Sequence, residues 1–533
     1  MSWRSGTSIR VLAATVSAGA LAACGVPALG GTDERDAGGK APVPADARAE
    51  CAAIAAPGDS AERRLRGMWI ATVAGIDWPK GKTRERQQDD YRKLLDTAQA
   101  MRLNAVFVQI RPNSDAFYPS PYEPWSQWIT GKQGKDPGYD VLGFMLKEAH
   151  ARNLEFHAWF NPYRVSRDPD LKKLAPNSPA RQHPDWVRKY GTGLWYDPGL
   201  PQVRDLATKA VMDVVNKYDI DAVHFDDYFY PYPEDGRDYP DQATYKTYGK
   251  GMGKAAWRRQ NVDTLVRSLS QNIHKAKPWV RFGISPFGVW RNKSTDPAGS
   301  DTHALESYDA QYADTRKWIK EGWLDYVTPQ LYWPIGDRRA DYATLVDWWS
   351  KQVAGTKVQL TIGQAAYRVG EDATWKKPAE LSRHLTLNRK YPAVRGDVFF
   401  SAADLAANRH GFAARVRDDH YPRPAVPPVV QDRGGEAPPS TQDLRAEPAG
   451  KGVKVQWRPA KGATAYAVYR VDGKRPGCAP VDPQRLIANV RGGGIVDPSA
   501  KPGKSYTYYV TALDRLHHES APGRGSTVTV PRG

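Results

Sequence analysis

The sequence predicts a (β/α)₈ TIM barrel, an α/β fold, followed by a small all-β sandwich. Three observations carry the prediction. From Leu65 onward, short β-rich runs alternate with amphipathic helical stretches; polar and aromatic clusters follow most of these runs; and beyond a Pro-rich segment the apolar pattern becomes strict alternation. A doubly wound open sheet is the rival. Such a sheet usually carries a Gly-rich phosphate turn after its first strand, and here that turn reads Ala74-Gly75-Ile76-Asp77-Trp78-Pro79.

In chain order, residues 1–24 read as a lipoprotein signal. Arg4 and Arg10 stand in an acid-free start, residues 11–23 are apolar and small, and the run ends in Leu21-Ala22-Ala23-Cys24. This tetrapeptide resembles the bacterial lipobox, which makes Cys24 the expected lipidation site and the membrane a partner through that anchor. Residues 25–60, rich in Ala, Gly, Pro and charge, read as a disordered tether. Barrel residues 61–418 hold candidate strands at 68–73, 105–110, 155–160, 222–225, 281–285, 326–330, 358–362 and 397–400. Helical patterns at 86–101, 142–152, 202–218, 255–275 and 310–321 repeat apolar residues at i, i+3 and i+4, and Asp341 opens another helix. Residues 419–438 read as a Pro-rich linker. Residues 439–533 carry period-2 runs at 453–457, 465–470, 506–510 and 527–530 between Gly and Pro turns, as a β-sandwich does. With Trp457 early and Tyr506-x-Tyr508-Tyr509-Val510-x-Ala512 late, this unit resembles a fibronectin type III module.

At 533 residues the chain exceeds one ordinary core, so two or three units are expected. The charge of +17 is spread along the chain without a basic run or nucleic-acid motif, so it points to anionic surfaces or wall polymers and not to nucleic acid. The 18 Trp and 27 Tyr exceed what a core needs, and many stand in polar clusters where flat rings can cover the C–H faces of sugars. Of three cysteines, Cys24 belongs to the signal, and Cys51 and Cys478 are free to pair in an oxidising compartment. His157, His224 and Asp226 lack metal-ligand spacing, so neither metal nor cofactor is expected. The chain is expected to be an extracytoplasmic monomer.

Barrel chemistry forms at the C-terminal strand ends. Alternation sends His224 and Asp226 into the mouth and Phe225 towards the helices. A carboxylate there suits glycoside cleavage, whose oxocarbenium-like transition state is positive. Asp226 is therefore the leading catalytic candidate, with Asp227 as a second catalytic residue or as the group orienting Asp226. Asp115 is the favoured second carboxyl, ahead of Glu123 and Asp309, with Asp77, Asp301 and Glu306 also open. A structural ion pair of Asp226 with Arg111 or Arg164 is the plainer alternative. Expected substrate contacts are Trp69, Trp159, Tyr163, Tyr228, Tyr332 and Trp333 as ring platforms, and Arg111, His157, Asn161, Arg164, His224, Gln330 and Arg368 as polar partners.

Several ordered motifs carry a family resemblance. Arg66-Gly67-Met68-Trp69, Gln109-Ile110-Arg111-Pro112, Pro124-Trp125-Ser126, the run from His157 to Arg164, the run from His224 to Pro231, Ser285-Pro286-Phe287-Gly288 and Pro329-Gln330-Leu331-Tyr332-Trp333 stand in sequence over residues 62–415. Together they resemble the glycosyl-hydrolase-like ten family of bacterial barrel proteins, many of them lipoproteins. The resemblance implies a TIM-barrel glycosidase, with relatives understood to cut peptidoglycan glycan strands stripped of stem peptides. It supports Asp226 without naming its partner. The expected function is thus an exported, lipid-anchored hydrolase of cell-wall glycan. A non-catalytic carbohydrate-binding lipoprotein is the alternative, and a metal-dependent deacetylase a more distant one.

Overall fold

The computed structural model describes residue 56 and residues 62–532 apart from 235, 377, 378, 451 and 476. The signal, Cys24, Cys51 and nearly all of the expected tether lie outside the described residues. Cys478 is disulfide-bonded.

Eight parallel strands close into a barrel: β1 (Leu65–Ile70), β2 (Ala105–Arg111), β3 (Glu155–Phe160), β4 (Ala222–Phe225), β5 (Arg281–Ile284), β6 (Tyr326–Val327), β7 (Gln359–Gln364) and β8 (Val394–Phe399). Each pairs with its neighbour in sequence, and β1 closes on β8. Such strands are buried on both faces, which is why they read as near-continuous apolar runs. Outward residues such as Val106, Val108, Phe156, Val223 and Phe225 join the large core beneath the helices. Burying one such side chain stabilises by roughly 1.5–3 kcal/mol. Inward residues Trp69, Phe107, Trp159 and Tyr326 fill the lumen. Gly283 on β5 is required there, because a Cβ would stand 2.2 Å from the Tyr326 ring. Side-chain caps start several helices: Thr83 accepts from Arg86 N, Asp140 from Gly143 N, and Asp341 from Thr344 N.

Two features depart from the expected layout. After β3 the chain builds a three-stranded antiparallel flap, with Gly193–Tyr196 between Arg164–Ser166 and Val187–Tyr190. The Pro-rich stretch after the last barrel helix (Phe412–His420) is docked and not free. Val426 and Val430 are buried, and Val426 O accepts from Arg64 N at 3.0 Å.

The C-terminal unit is a sandwich of two sheets. β9 (Gln442–Ala449), β10 (Gly452–Arg458) and β13 (Gly494–Asp497) form one. β11 (Ala465–Asp472), β12 (Leu486–Val490), β14 (Ser505–Leu513) and β15 (Ser526–Thr529) form the other. Val453, Val455, Trp457, Val468, Tyr508 and Val510 fill the space between. The sandwich sits against the N-terminal end of the barrel. His517 Nε2 lies 2.9 Å from Glu155 Oε1 at the start of β3, Arg515 2.6 Å from Asp219 ahead of β4, and Arg63 ahead of β1 pairs with Glu519. The opposite end, where the strands finish, is left to the chemistry.

Candidate active site

β4 ends at Phe225, so its inward residue His224 is followed by two residues that have left the pleat. Asp226 and Asp227 both come to the floor of the mouth, only 6% and 5% exposed. The β3–β4 register pairs Trp159 with His224, which brings the next inward residues, Asn161 and Asp226, together. Asp226 Oδ2 accepts from Asn161 Nδ2 at 2.5 Å and Trp159 Nε1 at 3.2 Å, and Oδ1 accepts from Tyr228 N at 3.1 Å.

A chain of hydrogen bonds fixes the Asn161 amide. Gln109 Oε1 accepts from the backbone N–H groups of Thr72 and Val73, both at 2.9 Å. Gln109 must therefore present its Nε2 to Asn161 Oδ1, at 2.6 Å, which turns Asn161 Nδ2 towards Asp226. Asp227 takes a hydrogen bond from the Tyr232 hydroxyl and one from Gln330 Nε2 at 3.0 Å. Gln330 is itself seated by a bond to Ser285 O at 2.9 Å. Gly288 lets that strand end approach, since a Cβ there would meet Gln330 O at 2.3 Å.

Burial and the neighbouring charge of Asp227 push Asp226 up to about 7, against the opposing pull of Arg164, Tyr228 N and Asn161. Burial pushes Asp227 up as well, opposed by the bonds from Tyr232 and Gln330. Both shifts run in the direction expected where two carboxyls in one buried site discourage each other's ionisation, and their titration belongs to the pair. His224 is held well below its ordinary range by burial and by His157, so it is a neutral ring.

Aromatic side chains ring the pair. The Arg164 guanidinium lies 4.1 Å over Tyr228 and 5.5 Å from Trp195, and those two rings stack at 6.1 Å and 24°. Across the mouth, Tyr332 packs 5.6 Å from Tyr367 and 6.3 Å from Phe400. Phe287 lies between Tyr232 and Trp333, at 5.8 and 5.6 Å. Arg164, Trp195, Tyr228, Tyr332, Tyr367 and Phe400 are all partly exposed.

The structure sorts the residues expected from the sequence. Asp226, Asp227, Arg164, Tyr228, Gln330 and Tyr332 converge on the mouth. Trp159 and Asn161 reach it as holders of Asp226. Trp69 and His224 form a floor, joined by a 3.2 Å bond from Trp69 Nε1 to His224 Nε2. Trp333, 8% exposed, contributes through Phe287. Arg368 caps Tyr332 O at 3.0 Å and pairs with Glu371 and Asp372 on the rim.

Four expectations are corrected. Asp115 has no exposed surface and is enclosed by Ser126 and Gln133, so it offers no face to a substrate. Arg111 is 1% exposed and engages Glu123 through two nitrogens, which removes both groups from the mouth. Tyr163 lies beyond the last inward position of β3 and is buried in the helix-side core. His157 lies deeper in the lumen, against Tyr326 and Glu155. Trp195, Tyr232, Tyr367 and Phe400 escaped sequence reasoning as site residues. The available signal for Trp195 was the short alternation of residues 187–190 and 193–196 across Gly191-Thr192.

A parallel barrel with a coupled carboxyl pair under an aromatic ring defines a protein of the barrel glycoside-hydrolase class. The chain belongs to the glycosyl hydrolase-like 10 family, whose model matches residues 64–379. Residues 441–530 match the fibronectin type III domain described as the SaeA third domain. Glycosyl hydrolase YngK of Bacillus subtilis (strain 168) is 48% identical over 484 residues, covering 87% of this chain and 94% of that protein. Glycosyl hydrolase DigH of Escherichia coli (strain K12) is 43% identical over 363 residues, covering 63% of this chain and 82% of that protein. Among solved structures, the PgaB (BpsB) glycoside hydrolase domain from Bordetella bronchiseptica aligns with TM-score 0.43 and 15% identity, over 67% of this chain and 98% of that one.

Proposed function

We propose that the chain is an exported, lipid-anchored glycoside hydrolase that cleaves cell-wall glycan, with peptidoglycan strands as its substrate. The observation that carries the reading is the buried, consecutive Asp226 and Asp227 carboxyls at the base of an aromatic mouth in a hydrolase-family barrel. One proton held between two carboxyls supplies both an acid and a base at neutral pH. The surrounding rings suit stacked pyranose faces, and Arg164 and Gln330 suit their polar substituents.

The anchor and the location rest on the sequence of residues 1–24, and two features are consistent with them. The disulfide at Cys478 fits an oxidising compartment. The net charge of +17 favours residence among anionic wall polymers. Among the described residues no helix is long and apolar enough to cross a membrane.

The test is mass spectrometry of products after incubating wild type and Asp226→Asn with purified peptidoglycan, both intact and stripped of stem peptides. Wild type is expected to release short sugar fragments and the variant none. Tight glycan binding without turnover in wild type would replace the enzyme with a binding lipoprotein. Membrane retention of Cys24→Ala on fractionation would remove the anchor.

A further inference from the structure

We propose that this site works by substrate assistance on 2-acetamido sugars: Asp226 accepts the acetamide N–H, Asp227 protonates the departing glycosidic oxygen, and the acetamide carbonyl oxygen attacks the anomeric carbon. The proposal rests on the hydrolase reading above and deepens it by naming the chemical group the substrate must carry.

The first support is the supply of carboxyls. A double displacement needs a carboxylate on the face of the sugar opposite the leaving oxygen, with an acid on the near side. Direct inversion needs a carboxylate base placed to activate water on that far face. Asp226 and Asp227 are consecutive, and the bonds from Trp159 and Asn161 to one and from Tyr232 and Gln330 to the other hold both carboxyls at the end of β4, on one side of the mouth. Of the other acids considered for a far-side role, Asp301 is exposed on the loop that follows β5, and the remaining five are engaged elsewhere. Asp115 is enclosed, Glu123 is on Arg111, and Asp309 is on Arg291 at 2.9 Å. Asp77 takes the Ser401 hydroxyl at 2.6 Å and Ala403 N at 2.9 Å. Glu306 is on Asn292. A nucleophile supplied by the substrate fills the missing place.

The second support is the division of donors. All three partners of Asp226 are N–H groups, which can only donate, so this carboxyl is held as an acceptor. Its Oδ1 takes a single bond, from Tyr228 N, and keeps a lone pair for a substrate N–H. Asp227 faces the Tyr232 hydroxyl, which can donate to a carboxylate or accept from a carboxylic acid. Asp227 Oδ1 accepts from Gln330 Nε2, but the Oδ2 contact with Tyr232 survives protonation, so Asp227 can carry the proton to the leaving oxygen without losing that partner.

The steps balance. As the C1–O bond to the leaving sugar breaks, the Asp227 proton passes to that oxygen. The acetamide oxygen bonds to C1, and its N–H proton moves to Asp226, giving a neutral oxazoline. Water then attacks C1 and loses a proton to Asp227. The C1–O bond of the oxazoline breaks, and Asp226 returns its proton to nitrogen. The sum is one water added across the glycosidic bond, with retained configuration.

The experiment uses the full chain and peptidoglycan glycan strands stripped of stem peptides. Proton NMR of the first products is expected to show retention. A thiazoline-fused N-acetylglucosamine, which mimics the bicyclic intermediate, should inhibit competitively. De-N-acetylated strands should lose kcat by at least about 100-fold, because the intramolecular nucleophile is gone, and re-acetylation should restore it. Inverted products, or a glycosyl adduct on the protein after rapid quenching, would overturn the assisted mechanism while leaving the hydrolase reading intact. Absence of cleavage of any strand by wild type would overturn both.

Discussion

Replacing Asp115 by asparagine separates a buried structural carboxyl from the catalytic pair and has a magnitude that follows from its surroundings. Burial pushes Asp115 up to about 7, opposed by bonds from Ser126 and Gln133. An unfolded Asp titrates near 3.9, so between about pH 4 and 7 the folded chain holds a proton that the unfolded chain has released. Stability is then full below pH 4 and falls as pH rises to 7, by about 4 kcal/mol in all, before levelling. The side chain of the Asp115→Asn variant cannot ionise and escapes this loss. Its amide must, however, set an N–H where Asp115 Oδ1 has no partner, at a cost of about 1–2 kcal/mol at every pH. The variant should therefore be the less stable protein at pH 3.5, by about 1–2 kcal/mol, and the more stable at pH 8, by roughly 2–3 kcal/mol, with the crossing near pH 5. Urea unfolding at the two pH values, followed by tryptophan fluorescence, measures the crossing, and strand cleavage at pH 6 should stay within about threefold of wild type. Unchanged order at pH 3.5 and 8 would refute the burial argument. A loss of activity of about 100-fold or more would make Asp115 the acid and refute the assignment of Asp227.

Three further outcomes are expected. Asn161→Ala removes a 2.5 Å donor to a charged acceptor, worth about 1.5–3 kcal/mol, so kcat should fall roughly 10- to 150-fold. That donor favours the ionised form, so its loss raises the titration of the pair and moves the alkaline limb of the rate profile to higher pH, readable from kcat between pH 5 and 9. Trp195→Ala removes one ring of the Arg164–Tyr228–Trp195 stack at the rim; KM should rise about 5- to 10-fold with kcat nearly unchanged, as steady-state kinetics on soluble strands would show. Glu155→Ala strands Arg281 without its buried anion and removes the partner of His517, so unfolding should become easier by about 3–5 kcal/mol, with kcat of the folded protein unaffected.

The barrel was legible because a parallel strand buried on both faces is written as a short, continuous apolar run, and each of the eight runs overlaps its strand. The ends were less legible. The first strand starts at Leu65, not residue 68, and takes in the charged Arg66, which an apolar run leaves out. Arg63 and Arg66 are in fact buried, Arg63 against Glu519 and Arg66 under Arg423 O, and partners hundreds of residues away leave no local mark. Alternation placed Asp226 correctly while β4 lasted, but it could not place Asp227, because the pleat ends one residue before the pair. The same limit misled at Tyr163, whose motif position after β3 suggested the mouth although the chain had already turned into the core. Trp159 and Asn161 were expected to touch substrate. Their positions as donors to Asp226 follow from the β3–β4 register, which sequence does not contain.

What distinguishes the working carboxyls from the many buried ones is the company each keeps. At the N-terminal end of the barrel, burial pushes Glu155 up, but Arg281 and His517 outweigh it and hold it well below the usual range. Asp221 is held low by His150 and Arg491, and Asp325 by His274 and Arg433, in both cases against their burial. These acids also bind the barrel: Asp221 accepts from Phe156 N at 2.8 Å and Asp325 from Phe282 N at 2.7 Å. Held ionised, they serve as fixed charges on which the sandwich and its connecting segment dock. Asp77 and Asp115 are pushed up by burial, yet each is walled in among its own hydrogen-bond donors. Only in the mouth do two raised carboxyls meet under a partly exposed ring, with Arg164 acting on both and closing on neither as an ion pair among the described residues. A proton there can be passed to a ligand, because no cation has fixed the charge and the rings around it are partly exposed.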